Sequence, residues 1–245
     1  MDQNNVQFEI NPALDRAALQ KRFIQDHRLQ IRDVLEPASA EGLREIFASQ
    51  INWGLAWRAA PSDPKNYRFE DLSSMQPSEL QSLSEQAHAA IGSGEYGFLY
   101  RQYPMLEAYL NKWDPGHPLD KMLEHLNSPP FLDLIRDVTG IDTIIRASAQ
   151  ATSYEPGNFL SEHDDSHSME PRRVAYVLHL TIPDWKSEWG GFLNFFDEEG
   201  NVSLGLKPVF NSLNLFRVPQ RHSVSLVAPS APVGRFSITG WAMDP

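Results

Sequence analysis

The period of the apolar pattern changes partway along the chain. Over residues 13–27 the apolar positions Leu14, Ala17, Ala18, Leu19, Phe23 and Ile24 recur at helical spacing, which predicts a helix. Residues 29–35 alternate and predict a strand. Ser39, with Glu41 and then Leu43, Ile46 and Phe47, predicts a capped helix. Residues 52–58 carry Trp53, Leu55 and Trp57 on one face and predict a second strand. Residues 60–78 are polar and marked by Pro61, Pro64 and Pro77, so they predict loop. A helix is predicted over 79–91. Residues 92–103 set Tyr96, Phe98, Tyr100 and Tyr103 among glycines, and three further helical patterns cover 104–112, 118–127 and 129–138.

After Gly140 the helical period gives way to short β-rich runs at 142–154, 173–181, 191–196, 212–217, 222–226 and 235–243, separated by Pro, Gly and Asn turns. This predicts an α+β fold: a double-stranded β-helix core of jelly-roll or cupin type, with N-terminal helices packed on one sheet. A single domain is expected over 1–245. Residues 1–140 would give helix-rich support, with a candidate lid within 60–103, and 141–245 the catalytic sheets.

Composition narrows the function classes. The 245 residues carry a net charge of −11, which argues against general binding to nucleic acid or membrane surfaces and leaves room for a basic partner. There is no cysteine, hence no disulfide framework, thiol nucleophile or cysteine-based metal site. Residues 1–5 are polar and lack the basic and apolar regions of a signal peptide, and no apolar run nears the ~20 residues of a membrane span. The expectation is a cytoplasmic protein.

The candidate chemistry lies in the strand-rich half. His163 and Asp165 form a His-x-Asp pair just after a predicted strand; on extended chain, that spacing sends both side chains to one face. Asp164 would point away, so spacing favours Asp165. His222 comes from a distant strand, and two imidazoles with one carboxylate can hold a non-haem iron while leaving open positions. Arg235 opens the apolar run 236–241, where a charge needs a buried partner such as a carboxylate cosubstrate. Ser237, two residues on, faces the same side. A lone His-x-Asp also suits a surface turn, and a lone His or Arg is often structural; the ordered combination is the signal.

These residues resemble the prolyl-hydroxylase branch of the Fe(II)- and 2-oxoglutarate-dependent dioxygenases. The resemblance rests on Tyr154-x-x-Gly157 before His163-x-Asp165, on Gly190-Gly191 before residues 192–196, and on Arg235-x-Ser237-x-x-Gly240-Trp241. With His163-Asp164-Asp165, Arg172-Arg173 and Trp185-Lys186-Ser187, the chain is most similar to the group that hydroxylates a proline of a ribosomal protein. The specific match covers about residues 150–243. Eukaryotic members carry a second, degenerate double-sheet domain, so the expectation here is a short, bacterial, single-catalytic-domain form.

The resemblance implies Fe(II) on His163, Asp165 and His222, and the C5 carboxylate of 2-oxoglutarate on Arg235. It implies O2 as oxidant, succinate and CO2 as co-products, and L-ascorbate as a further cofactor. Tyr154 would help bind the cosubstrate; Ser237 would donate to it; Thr239 and Trp241 would line the pocket. His179 falls where many relatives have a tyrosine, and serves either as a hydrogen-bond donor to that carboxylate or as a core residue. The implied partner is a protein or peptide with a target proline, such as a basic ribosomal protein. Two alternatives stay open: hydroxylation of a small molecule or free amino acid at the same site, and a non-catalytic cupin-like binder.

Overall fold

The computed structural model describes residues 8–245; the expectation that 1–5 hold no signal peptide lies outside them. In chain order the elements are α1 (Arg16–Asp26), β1 (Arg28–Arg32), α2 (Pro37–Ser49), β2 (Gly54–Ala59), β3 (Lys65–Tyr67), α3 (Phe69–Ser74), α4 (Pro77–Gly92) and β4 (Gly97–Tyr103). Three helices follow, α5 (Met105–Asn111), α6 (Pro118–Leu126) and α7 (Pro129–Thr139). The remaining strands are β5 (Arg146–Ala147), β6 (Gln150–Tyr154), β7 (Phe159–His163), β8 (Arg172–His179), β9 (Leu193–Phe196), β10 (Val202–Leu206), β11 (Ser212–Arg217), β12 (His222–Val224) and β13 (Arg235–Met243).

All named strand pairs are antiparallel, in the order β1-β11-β8-β13-β6-β4-β7-β12-β9-β10, with β2 and β3 continuing outward from β4. Strand β4 joins the two halves: its end pairs with β6 and its start with β7. The result is a nearly closed, two-sheet jelly roll, as the sequence predicts.

Helices cover the outer face of the larger sheet. Helix α7 starts with Pro129, whose missing N–H costs nothing there, and ends at Gly140 in the left-handed region (φ 68°). Its buried residues Phe131, Leu134, Ile135 and Val138 join Phe23 of α1 and Phe47 of α2 against Tyr176, Leu178, Leu213, Leu215 and Ile238 of the sheet. Each such side chain contributes roughly 1.5–3 kcal/mol on burial. A smaller cluster packs Leu72 of α3 and Ala87 and Ala90 of α4 on Leu55, Trp57 and Leu99.

Two expectations are corrected. Residues 60–78 are not simply loop: they hold β3, α3 and the start of α4, whose Gln76 N–H donates to Glu79 at 2.7 Å. Within 92–103, Gly92 ends α4 and Gly97–Tyr103 form β4, which pairs with β2, β6 and β7. Ser39 does not cap α2; the N-cap is Glu36, and Ser39 Oγ lies inside the helix, accepting the Glu9 N–H at 3.1 Å.

Candidate metal and carboxylate site

Strands β7 and β12 are neighbours, and their register puts His163 directly opposite His222. Each imidazole sets Nδ1 against the backbone carbonyl two residues earlier: Ser161 at 3.0 Å for His163 and Gln220 at 2.8 Å for His222. With Nδ1–H donating, Nε2 keeps its lone pair. Both Nε2 atoms face the Asp165 carboxylate, at 3.3 Å and 3.5 Å. One ligand atom from each of the three residues lies within 4.8 Å of the others, a grouping able to hold a metal ion.

Asp165 reaches this position by a route other than strand alternation. Strand β7 stops at His163, and Asp165 lies beyond it with φ 62°, a left-handed turn that swings its side chain back toward the histidines. Asp164 is exposed and its Oδ1 accepts the Ser166 N–H. Burial alone would push the Asp165 carboxyl up; the His163 and His222 imidazoles facing it hold it below the ordinary carboxylate range. Burial, with His163 beside it, lowers His222 to about 4, so its ring is neutral and ready to ligate near pH 7.

Arg235 is 1% exposed at the start of β13. Its guanidinium lies over the Tyr154 ring, 5.1 Å from the centroid, and Nη1 donates to Ser237 Oγ at 3.4 Å. Nε and Nη2, which form one edge of the group, have no hydrogen-bond partner. A buried guanidinium edge with two free donors has the geometry of a bidentate carboxylate receptor. Burial lowers Arg235 to about 10, which still leaves it charged at neutral pH. Space for the guanidinium stem comes from the double glycine: Gly191 has φ 69°, and a Cβ there would lie 3.0 Å from Arg235 Cδ. At Gly190 (φ 66°) a Cβ would collide with the Leu226 carbonyl.

A cavity of about 350 Å³ is lined by all three cluster residues, Tyr154, Arg235, Thr239 and Trp241. Tyr154 is buried and stacks on Tyr100, with centroids 4.8 Å apart, and burial pushes both phenols up, so they stay neutral. Ser237 is fully buried and shares a 2.9 Å hydrogen bond with Thr152. Thr239 Oγ1 accepts from Gln150 at 3.2 Å. His179 is fully buried on β8 opposite Ser237; Asn214 Nδ2 donates to its Nε2 at 3.0 Å, and Nδ1 has no partner. Burial first, then the Arg235 charge, holds His179 well below the usual histidine range, so it is neutral. Sequence patterns alone did not single out Gln150 or Asn214, because each acts through a neighbour on another strand. Arg172 sits at the mouth over the Trp241 ring at 3.6 Å and donates to the Asp165 carbonyl.

Residues 149–243 match the family model of the 2OG-Fe(II) oxygenase superfamily. The matched stretch is the strand-rich part of the chain, from β6 to β13. A curated relative, the prolyl 3-hydroxylase OGFOD1 of Xenopus laevis, is 30% identical over 128 residues, 49% of this chain and 24% of that protein. The match thus spans about a quarter of the relative's length. Among solved structures, a Pseudomonas putida prolyl-4-hydroxylase aligns with TM-score 0.56 at 19% identity, covering 94% of this chain and 99% of the other. An oxidoreductase of the 2OG-Fe(II) oxygenase family from Burkholderia pseudomallei aligns with TM-score 0.57 at 12% identity, over 96% and 93%. These two likenesses concern the fold.

Proposed function

We propose that this chain is an Fe(II)- and 2-oxoglutarate-dependent dioxygenase that hydroxylates a prolyl residue of a protein. One observation carries the reading: three ligand atoms converge within 4.8 Å in the same cavity that holds a buried arginine with two unpartnered donors. A metal and a dicarboxylate satisfy both at once. Fe(II), with 2-oxoglutarate and O2, would supply the oxidising chemistry for C–H hydroxylation, giving succinate and CO2.

The residues of the chain bind and orient. His163, Asp165 and His222 would hold the metal, each imidazole fixed by its Nδ1 contact. Arg235 would take the distal carboxylate of 2-oxoglutarate on its Nε–Nη2 edge, with Ser237 steadying Nη1. His179, braced by Asn214, would offer its Nδ1 to the same end. Tyr154 would cover the cosubstrate, and Thr239 with Trp241 would wall the pocket against water. No residue is needed as a general base.

A protein substrate is supported by the kind of activity named for the Xenopus relative, and a basic target such as a ribosomal protein by the net charge of −11. L-ascorbate as a further cofactor, a cytoplasmic setting and one catalytic unit over the whole chain belong to the same proposal. Among the described residues no helix is long and apolar enough to cross a membrane. The test is succinate release from 2-oxoglutarate with Fe(II), with and without proline-bearing peptides. Full activity in His163→Ala would overturn the ligand assignment. Turnover stimulated by free proline but by no peptide would overturn the protein substrate.

A further inference from the structure

The cavity over the cluster does not end at Trp241. Three of its wall residues, Gln150, Thr239 and Trp241, also line a second hollow of about 340 Å³ that runs out to α5. Its outer wall is Pro104, Leu106, Leu110 and Ala149. Helix α5 buries Met105 and Ala108 in the core; Leu106 and Leu110, one turn apart, are left facing outward. They are 45% and 68% exposed, an uncovered apolar pair beside the second hollow. The junction between the two hollows is polar: Gln150 and Thr239 meet there, and Gln150 keeps an amide oxygen to accept with.

We propose, resting on the oxygenase reading above, that this second hollow is a substrate subsite for an apolar side chain flanking the reacting prolyl residue. The junction amide and hydroxyl meet the intervening peptide backbone, and Leu106 and Leu110 close on the flanking side chain. The occupant follows from continuity. A free amino acid ends inside the first cavity, where it leaves the leucine pair in water. An extended polypeptide that passes Trp241 meets first a polar junction and then an apolar hollow, the alternation its own backbone and side chains require.

The probe is a set of capped peptides with a central proline in a Gly-Ser background, with one leucine scanned through the flanking positions. Binding to the full chain loaded with Mn(II) and 2-oxoglutarate is followed by calorimetry. One leucine register is expected to bind about tenfold tighter than the all-Ser parent, as a single well-seated anchor does. Leu110→Asp should lose that gain with an unchanged thermal melt, while Val202→Asp, exposed on the distant β10, should keep it. A flat scan, or a gain that survives Leu110→Asp, would overturn the subsite. So would sedimentation showing a dimer that Leu110→Asp dissolves, since the face would then belong to a second copy. Uncoupled, Fe(II)-dependent succinate release that persists beside a flat scan would sink the subsite alone and leave the oxygenase reading in place.

Discussion

The two faces of β8 and β13 live in different surroundings. One face, with Tyr176, Leu178, Ile238 and Ala242, is packed under the helices. The other, with Ala175, Val177, Arg235, Thr239 and Trp241, lines the cavity. The helix-side face has satisfied its atoms internally. The cavity-side face keeps free donors on Arg235 and His179. A strand can therefore carry stability on its even positions and chemistry on its odd ones, and the two should separate under mutation.

The sharpest way to break that separation is at the His163, Asp165 and His222 cluster. His163→Ala should lower Fe(II)-dependent succinate release by more than about 100-fold, since disturbing even an outer-shell partner costs up to that much. Iron titration should show the matching loss of binding, with the melting temperature little changed. On the opposite face, Ile238→Ala should cost about 2–5 kcal/mol in urea unfolding through the cavity it leaves, while the KM for 2-oxoglutarate stays near wild type. If the KM moved as much as the stability, the two faces would not be independent.

Arg235→Leu should move both quantities in opposite directions. Affinity for 2-oxoglutarate should fall at least about 30-fold, the lower range for truncating one side of a buried charge pair. The cosubstrate-free protein should become more stable by about 1–3 kcal/mol, because an unpaired buried cation has been removed. A destabilised Arg235→Leu protein would mean that the guanidinium is a structural element.

The smallest effect concerns the helical side. Burial lowers His125, which packs on Phe8, to about 4. Its neutral form is thus the one the fold accepts. As pH falls below the ordinary histidine value near 6.5, the unfolded chain gains a proton that the folded chain refuses until about 4. Stability should decline across that window and be flat in this respect above it. In His125→Phe, urea midpoints should decline less steeply between those pH values, with cosubstrate affinity unchanged.

The legible parts of the chain are those with one unambiguous inside. Strands β11 and β13 match the predicted 212–217 and 235–243 because both are largely buried, β-rich runs bounded by turns. Strand β10 was missed: it is an edge strand, almost wholly exposed, and carries no periodic signal. Strand β3 and helix α3 hid among prolines and polar residues whose structure comes from pairing with β2, not from local pattern. At the site, the residue types and order of His163, Asp165, His222 and Arg235 were visible. The left-handed backbone that aims Asp165 was not, nor were the carbonyls that orient the two rings, because neither leaves a mark on residue identity.

The double glycine shows what an inventory of functional groups overlooks. Gly191 has no side chain to offer a ligand, yet the seat of Arg235 exists because that space is empty. A scan that skips glycines passes over this position, although the Cβ of Gly191→Ala is the atom that would crowd the arginine. The proposed carboxylate seat would thereby depend on a residue that supplies charge and another that supplies room. A variant library built only on charged or hydrogen-bonding side chains would sample half of that arrangement, and redesign of the seat would start more productively from Gly191 than from the arginine itself.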